Sequence, residues 1–160
     1  MTPASSNPYD EVLYNNYALL HTHPNRLAIL GRLSGLKPAP VECCRVLELG
    51  CGDGANLIPM AYAFPESRFL GIDLAGRPIA TGQAMIRDLE LKNITLEQMD
   101  ILDFPKSAGE FDYIITYGIY SFISHDGRPG VPGEIESSYE TKKVSVARSI
   151  DSVIEEFQKM

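Results

Sequence analysis

The sequence lacks any apolar run near the ~18 residues that a membrane-spanning helix needs. Its first residues, MTPASSNPYDE, have neither a basic start nor an apolar stretch, so we expect no signal peptide. These two absences predict a cytoplasmic protein that does not bind membranes. The sequence shows no internal repeat either. A length of 160 residues with 44% apolar composition is enough for one domain with its own core.

Basic residues are few. Fourteen Lys and Arg residues stand against 21 Asp and Glu residues, which gives a net charge of −7. The basic residues are also scattered, apart from Lys142, Lys143 and Arg148, which fit a solvated helix face. This pattern argues against nucleic-acid binding through bulk charge.

Cysteine is scarce as well. The sequence has three cysteines, of which Cys43 and Cys44 are adjacent and Cys51 lies in a glycine-rich stretch. Their number is odd for a disulfide framework, and neither they nor the histidines have the spacing of metal ligands. We therefore expect three reduced cysteines that pack as small residues, and no metal site.

Apolar patterns do predict regular structure. The stretch that begins at Pro24 places Leu27, Leu30 and Leu33 at helical spacing, which indicates an amphipathic helix packed on the core. His23 precedes this helix and is interpreted as its N-terminal cap or as a neighbour of the cofactor cleft, with no catalytic role.

Four later segments read as strands and are separated by helical or loop segments. The first is RVLEL, an apolar run buried on both faces except for Glu48. Strands alternating with helices predict an α/β fold with a Rossmann-like parallel sheet and flanking helices. The predicted strands are 45–49, 68–74, 93–100 and 111–118.

Three glycines, Gly50, Gly52 and Gly54, follow the first strand. Ligands of such sheets bind at the carboxyl ends of the strands, and bare backbone with positive φ angles offers a floor for a cofactor. Gly50-x-Gly52-x-x-Ala55 also satisfies the permissive dinucleotide fingerprint, so NAD is one candidate.

Three carboxylates near the strand ends favour a different ligand. Glu48 beside the floor suits a positively charged ligand better than a pyrophosphate. Asp73, at the end of the second strand, can accept from both hydroxyls of a ribose, although it would fit NAD equally well. Asp100 can accept from an exocyclic amine, and Ile101 and Leu74 could sandwich a purine. Together these residues describe an adenosine site without a diphosphate.

The motifs VLELGCGDG, GIDL, MDILDF and FDYIITYG resemble those of class I S-adenosylmethionine-dependent methyltransferases, over residues 45–118. The flanking YDEVLY, HTHPNRLAILGRLSGL and YGIYSF are similar to the methyltransferase domain of bacterial proteins that also carry a methyltransferase regulatory domain. Some members of that group methylate protein lysines. The resemblance implies an N-terminal extension over 1–22, a domain that binds S-adenosyl-L-methionine over 23–120, and a loop with an amphipathic helix over 121–160.

The resemblance also implies the residues of the cofactor site. Tyr117 and Gly118 would face the sulfonium, and Tyr117 and Tyr120 are candidates for contact with the methyl acceptor. The catalytic residues are unknown, and a general base is not obligatory because the sulfonium donor is already activated. TYGIYSF departs from the Asn/Asp-Pro-Pro-aromatic signature, which disfavours adenine and glutamine amino groups as acceptors. The cofactor-binding residues that the resemblance implies are Glu48, Gly50, Cys51, Gly52, Gly54, Asp73, Leu74, Asp100, Ile101, Tyr117 and Gly118.

The last forty residues depart from the family pattern. They contain a Gly/Pro-rich loop and then a helical stripe, with no convincing strand after the fourth. The predicted sheet is therefore incomplete, with about four strands and a C-terminal helix. The apolar edge of the fourth strand would be covered by this helix or by a partner such as a second copy of the chain, or the chain is a truncated relative of a longer enzyme. We favour truncation, which predicts weak or absent transferase activity. The apolar stripe of the predicted C-terminal helix comprises Val146, Ile150, Val153, Ile154 and Phe157.

A second class of function stays open. In it the chain is a non-catalytic module that binds an adenosyl ligand, or an NAD-binding fragment that lacks its substrate domain.

Overall fold

The computed structural model describes residues 16–105, 108–117 and 144–145. Over these residues the chain forms one sheet with the strand order β3-β2-β1-β4-β5. The strands are β1 (Arg45–Leu49), β2 (Arg68–Asp73), β3 (Ile94–Gln98), β4 (Tyr113–Thr116) and β5 (Val144–Ser145). The helices are α1 (Pro24–Leu33), α2 (Leu57–Ala63) and α3 (Gly76–Asp88), and short 3₁₀ turns lie at Leu20–Thr22 and Ile101–Asp103.

The sheet is parallel from β3 to β4. β1 pairs with β2 on one side and with β4 on the other, and β2 pairs with β3. Long connections that include α2 and α3 join the first three strands, as parallel pairing requires. The Rossmann-like α/β sheet of four parallel strands is therefore confirmed. Parallel pairing also brings the carboxyl ends of these strands to one edge of the sheet.

The core lies on both faces of β1. Val46 belongs to an apolar cluster with residues of α1, α2 and α3, whereas Leu47 and Leu49 pack in a second cluster with Phe104 and Phe111. A strand that is covered on both sides favours apolar side chains on both of its faces, which explains Val46, Leu47 and Leu49. Burying one such side chain contributes about 1.5–3 kcal/mol. Glu48 is the exception in β1, because it is a charged residue type at a buried position of the strand.

The helix predicted from Pro24 is present, but two of its expected core residues are exposed. Leu27 is buried, whereas Leu30 is 50% and Leu33 80% exposed. Each step of three residues turns a helix by only about 300°, so a stripe read at i+3 drifts away from the core. The buried stripe runs instead through Pro24, Leu27, Ala28 and Gly31.

The start of α1 follows the prediction. The ring of His23 accepts a hydrogen bond from the Asn25 backbone N–H through Nδ1, at 3.3 Å. Pro24 occupies the first turn, where its missing N–H costs no helical hydrogen bond. The N-terminal cap assigned to His23 is confirmed.

The cysteine prediction is correct for two of the three residues. Cys44 and Cys51 are buried and free, but Cys43 is exposed and so is not a packing residue. Within the part of the chain that the structure describes, no group of three His, Cys, Asp or Glu side chains could hold a metal ion. No helix among the described residues is long and apolar enough to cross a membrane.

The edge of β4 corrects a second expectation. Val144 and Ser145, predicted to belong to the C-terminal helical segment, form β5 and pair antiparallel with Ile115 and Ile114. An open edge offers unpaired backbone groups to any nearby segment, and a two-residue strand is too short to show alternation in a sequence. The helical stripe from Val146 to Phe157 lies outside the described residues. Coverage of this edge by a second copy of the chain stays a prediction.

Candidate functional site

The glycine loop follows β1 at the carboxyl edge of the sheet. Gly50, Gly52 and Gly54 have φ angles of 72°, 56° and 76°, the left-handed region that favours glycine. The backbone N–H groups of Gly50 and Cys51 both donate to the Ile72 carbonyl, at 2.8 and 3.0 Å. These bonds fix the loop against the end of β2. The expected backbone turn is therefore present.

The loop glycines also have packing reasons to be glycine. A Cβ at Gly54 would lie 2.7 Å from Leu96 Cδ1, inside the core. A Cβ at Gly52 would collide with the side chain of Asn16, which lies over the loop. Gly82 of α3 packs in the same way against the carbonyl of Asp53. Of these positions, Gly52 is the one that contacts a residue from the segment ahead of α1.

Glu48 is buried in the middle of this edge and is 4% exposed. Its Oε1 accepts a hydrogen bond of 2.7 Å from Asn56 Nδ2, while Oε2 is buried without a hydrogen-bond partner. Burial raises the pKa of Glu48 to about 8; the Asn56 bond lowers it, and the nearby Asp73 charge raises it. A buried carboxyl oxygen without a hydrogen-bond partner is costly, so a donor group from a ligand would stabilise it.

Asp73 joins the end of β2 to the glycine loop. Its Oδ2 accepts from the Gly52 backbone N–H and its Oδ1 from the Ala75 N–H, both at 2.8 Å. An ionised carboxylate has about four acceptor positions, so two bonds leave capacity for hydroxyl groups. Leu74 is half-buried, and its carbonyl accepts from Gln98 Nε2 at 3.1 Å.

Asp100 lies next along the same edge. Asp73 is paired with Gln98 of β3, and the Met99 N–H donates to the Asp73 carbonyl at 2.9 Å. Asp100 is exposed, and its Oδ1 accepts from the Leu102 N–H at 2.9 Å as the cap of a 3₁₀ turn. Buried carboxylates without a partner are rare in proteins, and this favours Glu48 as a ligand-binding residue. The same argument does not apply to Asp100, because its carboxylate is exposed and hydrogen-bonded. Ile101 is half-buried against the second apolar cluster.

Cys51 faces the core with its side chain. It is 5% exposed, and a Cβ built at Gly71 would lie 2.7 Å from its Sγ. Burial raises the pKa of this thiol, and the charges of Glu48 and Asp73 add to the shift. Only the backbone of Cys51 is available to a ligand in the glycine loop.

Tyr117 follows β4 and lies against His21 from the N-terminal side. Their ring centroids are 4.9 Å apart with the planes inclined by 53°. The Nε2 atom of His21 is buried without a hydrogen-bond partner. Gly118 and Tyr120, also predicted to belong to this site, lie outside the described residues.

Sequence reasoning missed Asn56 and Thr22. Both are buried, and Asn56 Nδ2 donates to Thr22 Oγ1 at 3.0 Å as well as to Glu48. Their 34-residue separation leaves no local periodic signal for this contact. The one available clue is that Asn56 follows the glycine loop directly.

The chain is similar in sequence to known proteins. A family model described as a methyltransferase domain matches residues 41–159. The chain is 42% identical over 118 residues to the uncharacterized protein RP028 of Rickettsia prowazekii, and 43% identical over 122 residues to the uncharacterized protein RP789 of the same organism. These alignments cover 74% and 76% of this chain but 47% and 22% of the two relatives.

A solved structure shares the fold at comparable identity. PKMT2 from Rickettsia typhi, in complex with AdoHcy, superposes with a TM-score of 0.68 and 38% sequence identity. The superposition covers 71% of this chain and 22% of PKMT2. The chain therefore spans about half of one relative and about a fifth of the other two proteins.

Proposed function

Because the chain belongs to the methyltransferase domain family, as its four motifs indicated, we propose that it binds S-adenosyl-L-methionine and transfers the methyl group to an acceptor. We further propose protein lysine as the acceptor class. The observation that carries the proposal is the unpartnered, buried Oε2 of Glu48 beside the glycine loop. S-adenosylmethionine carries an ammonium group that can donate to this oxygen, and its sulfonium supplies an already activated methyl group.

Glu48 would hold the methionine half in this proposal. Its raised pKa of about 8 leaves the carboxyl mostly protonated at neutral pH when no cation is near. An ammonium favours the charged form, so binding releases a proton and strengthens as the pH rises through this range. The backbone of Gly50, Cys51 and Gly52 would approach the same part of the cofactor, while Gly54 supports the loop from the core side.

The nucleoside half would lie along the next two strands. Asp73 would accept from both ribose hydroxyls while keeping its bonds to Gly52 and Ala75. Leu74 and Ile101 would contact the purine, and Asp100 would accept from its exocyclic amine. This arrangement supports an adenosyl ligand more than NAD, since Asp73 would repel a pyrophosphate and a pyrophosphate brings no cation that could favour the charged form of Glu48.

The acceptor side would lie beyond β4. Tyr117 would border the reacting sulfur, and Gly118 and Tyr120 remain candidates from the sequence. An aromatic ring can attract a lysine ammonium through its π face. The ammonium would then lose a proton to solvent, so that the lone pair of the neutral amine could attack the methyl group. The chain's own residues would mainly orient the acceptor in line with the sulfonium and exclude water, which can supply about 7–11 kcal/mol of the barrier.

Titration calorimetry tests the cofactor assignment. We expect binding of S-adenosylmethionine and S-adenosylhomocysteine, and no measurable heat with NAD. Tight NAD binding without a response to the sulfonium ligand would instead support the dinucleotide-binding fragment. Methyl transfer from labelled S-adenosylmethionine is then measured on lysine-containing peptides and on the same peptides with arginine in place of lysine. Weak or absent transfer is the result that truncation predicts, and binding with no transfer to any acceptor would also favour the non-catalytic adenosyl-binding module. Robust transfer would contradict truncation.

We also propose a cytoplasmic location. The proposed partners are the cofactor and a protein acceptor.

A further inference from the structure

Asn56 connects two parts of the site that are far apart in the sequence. It is 6% exposed, and its Nδ2 donates to Glu48 Oε1 at 2.7 Å and to Thr22 Oγ1 at 3.0 Å. Its Oδ1 accepts from the Leu19 backbone N–H at 2.9 Å. Both amide hydrogens and the carbonyl oxygen are therefore used, so the amide has one preferred orientation.

The first consequence concerns Glu48. Asn56 donates to Oε1, which leaves Oε2 as the carboxyl oxygen without a hydrogen-bond partner. Donation to a carboxylate also favours its charged form, which opposes the effects of burial and of Asp73. Asn56 thus orients the carboxyl that would receive a cation and favours its charged form.

The second consequence concerns the segment ahead of α1. Leu19 and Thr22 are both held by Asn56, and the Thr22 hydroxyl donates back to the Leu19 carbonyl at 2.9 Å. The same segment reaches the glycine loop, because Asn16 lies against Gly52. Residues 16–22 therefore contact the site at two points, one of which is Asn56.

We propose that Asn56 is a positioning residue that couples ligand binding at Glu48 to the docking of residues 19–22 on the same site. The inference rests on the proposed function. When Glu48 loses its proton to solvent and receives an ammonium, its bond from Asn56 becomes charge-assisted and stronger. The Asn56 amide is then held more firmly with its Oδ1 toward the Leu19 N–H. Residues 19–22 therefore detach from Asn56 less often.

Asn56→Asp is the direct test, because it keeps an acceptor for Leu19 but removes the donor to Glu48. The matched control is Asn93→Asp. Asn93 is also anchored by its side-chain amide, which donates to the carbonyls of Ala61, Phe64 and Ser67 at 2.9, 3.0 and 3.1 Å. It does not contact Glu48 or residues 19–22. Both variants lose a hydrogen-bonded amide donor, but only Asn56→Asp loses the connection between Glu48 and residues 19–22.

Two quantities are measured with S-adenosylhomocysteine. One is its Kd between about pH 6 and pH 8.5 by calorimetry, and the other is hydrogen exchange of the Leu19 amide with and without saturating ligand. In the wild type we expect the ligand to slow this exchange. In Asn56→Asp we expect the Kd to rise about tenfold or more, because one charge-assisted hydrogen bond is lost. We also expect the ligand to have no effect on the hydrogen exchange of the Leu19 amide in this variant. Asn93→Asp keeps the wild-type Kd and response.

Thr22→Val gives a second perturbation that preserves shape and leaves the Asn56 to Glu48 bond intact. We expect faster Leu19 exchange in the free protein with a smaller loss of affinity than in Asn56→Asp. Wild-type affinity and exchange response in Asn56→Asp would overturn the coupling while leaving the proposed function intact. Failure of the wild type to bind S-adenosylhomocysteine would overturn both.

Discussion

Glu48 should make the stability of the unliganded protein depend on pH. Burial raises its pKa from 4.5 to about 8, so the native state binds this proton more tightly than the unfolded chain does. The contribution to the free energy of unfolding is fully present below about pH 4.5 and is lost progressively as the pH rises to about 8. At about 1.4 kcal/mol per pH unit, the wild type loses about 2.5 kcal/mol between about pH 5.5 and about pH 7.5.

Glu48→Gln removes the titrating carboxyl. The free energy of unfolding of this variant should therefore not show the fall that Glu48 causes in the wild type between these pH values. Urea unfolding, followed by circular dichroism at three pH values in this window, measures the free energy of unfolding of both proteins. The difference between them cancels the other titrating groups. Glu97→Gln is the matched control, since Glu97 is exposed on the neighbouring part of the sheet. Wild-type and Glu48→Gln curves that stay parallel within about 0.5 kcal/mol would refute the reasoning, because they would mean that Glu48 is not a protonated, desolvated carboxyl.

Three further substitutions test other parts of the account. Asp73→Asn should raise the Kd of S-adenosylhomocysteine about 10-fold or more, because an amide cannot accept at both sites; an unchanged Kd in calorimetry would contradict the ribose assignment. Gly82→Ala should destabilise the protein by about 1–3 kcal/mol in urea unfolding, because the new methyl would collide with the Asp53 carbonyl; wild-type stability would show that the loop yields freely. Tyr113→Phe should lower stability by about 0.5–1.5 kcal/mol through loss of the 2.6 Å bond to the Ala39 carbonyl, and no loss in the same assay would show that the hydroxyl contributes nothing.

The sequence allowed the parallel sheet and the glycine loop to be predicted because both leave local signals. Apolar runs such as Tyr113–Ile115 mark strands that are buried on two faces, and positive φ angles at Gly50 and Gly52 demand glycine. Asp73 could be assigned to the same edge because parallel strands end together.

Other features depend on contacts between distant segments. The exposure of Leu30 and Leu33 follows from how α1 sits on the sheet, which helical spacing alone does not fix. β5 is set by the open edge of β4 rather than by its own two residues. The contact of Asn56 with Leu19 joins residues 37 apart, so no motif near either residue announces it.

Proton release on ligand binding tests the central claim most directly. Calorimetric titration with S-adenosylhomocysteine at about pH 7, in buffers of different ionisation enthalpy, counts the protons that leave the complex. We predict a release close to one proton for the wild type, because Glu48 passes from neutral to charged when it receives the ammonium, and no release for Glu48→Gln together with weaker binding. Wild-type binding without proton release, or equal affinity in Glu48→Gln, would contradict the assignment of Glu48 as the group that holds the cofactor's ammonium.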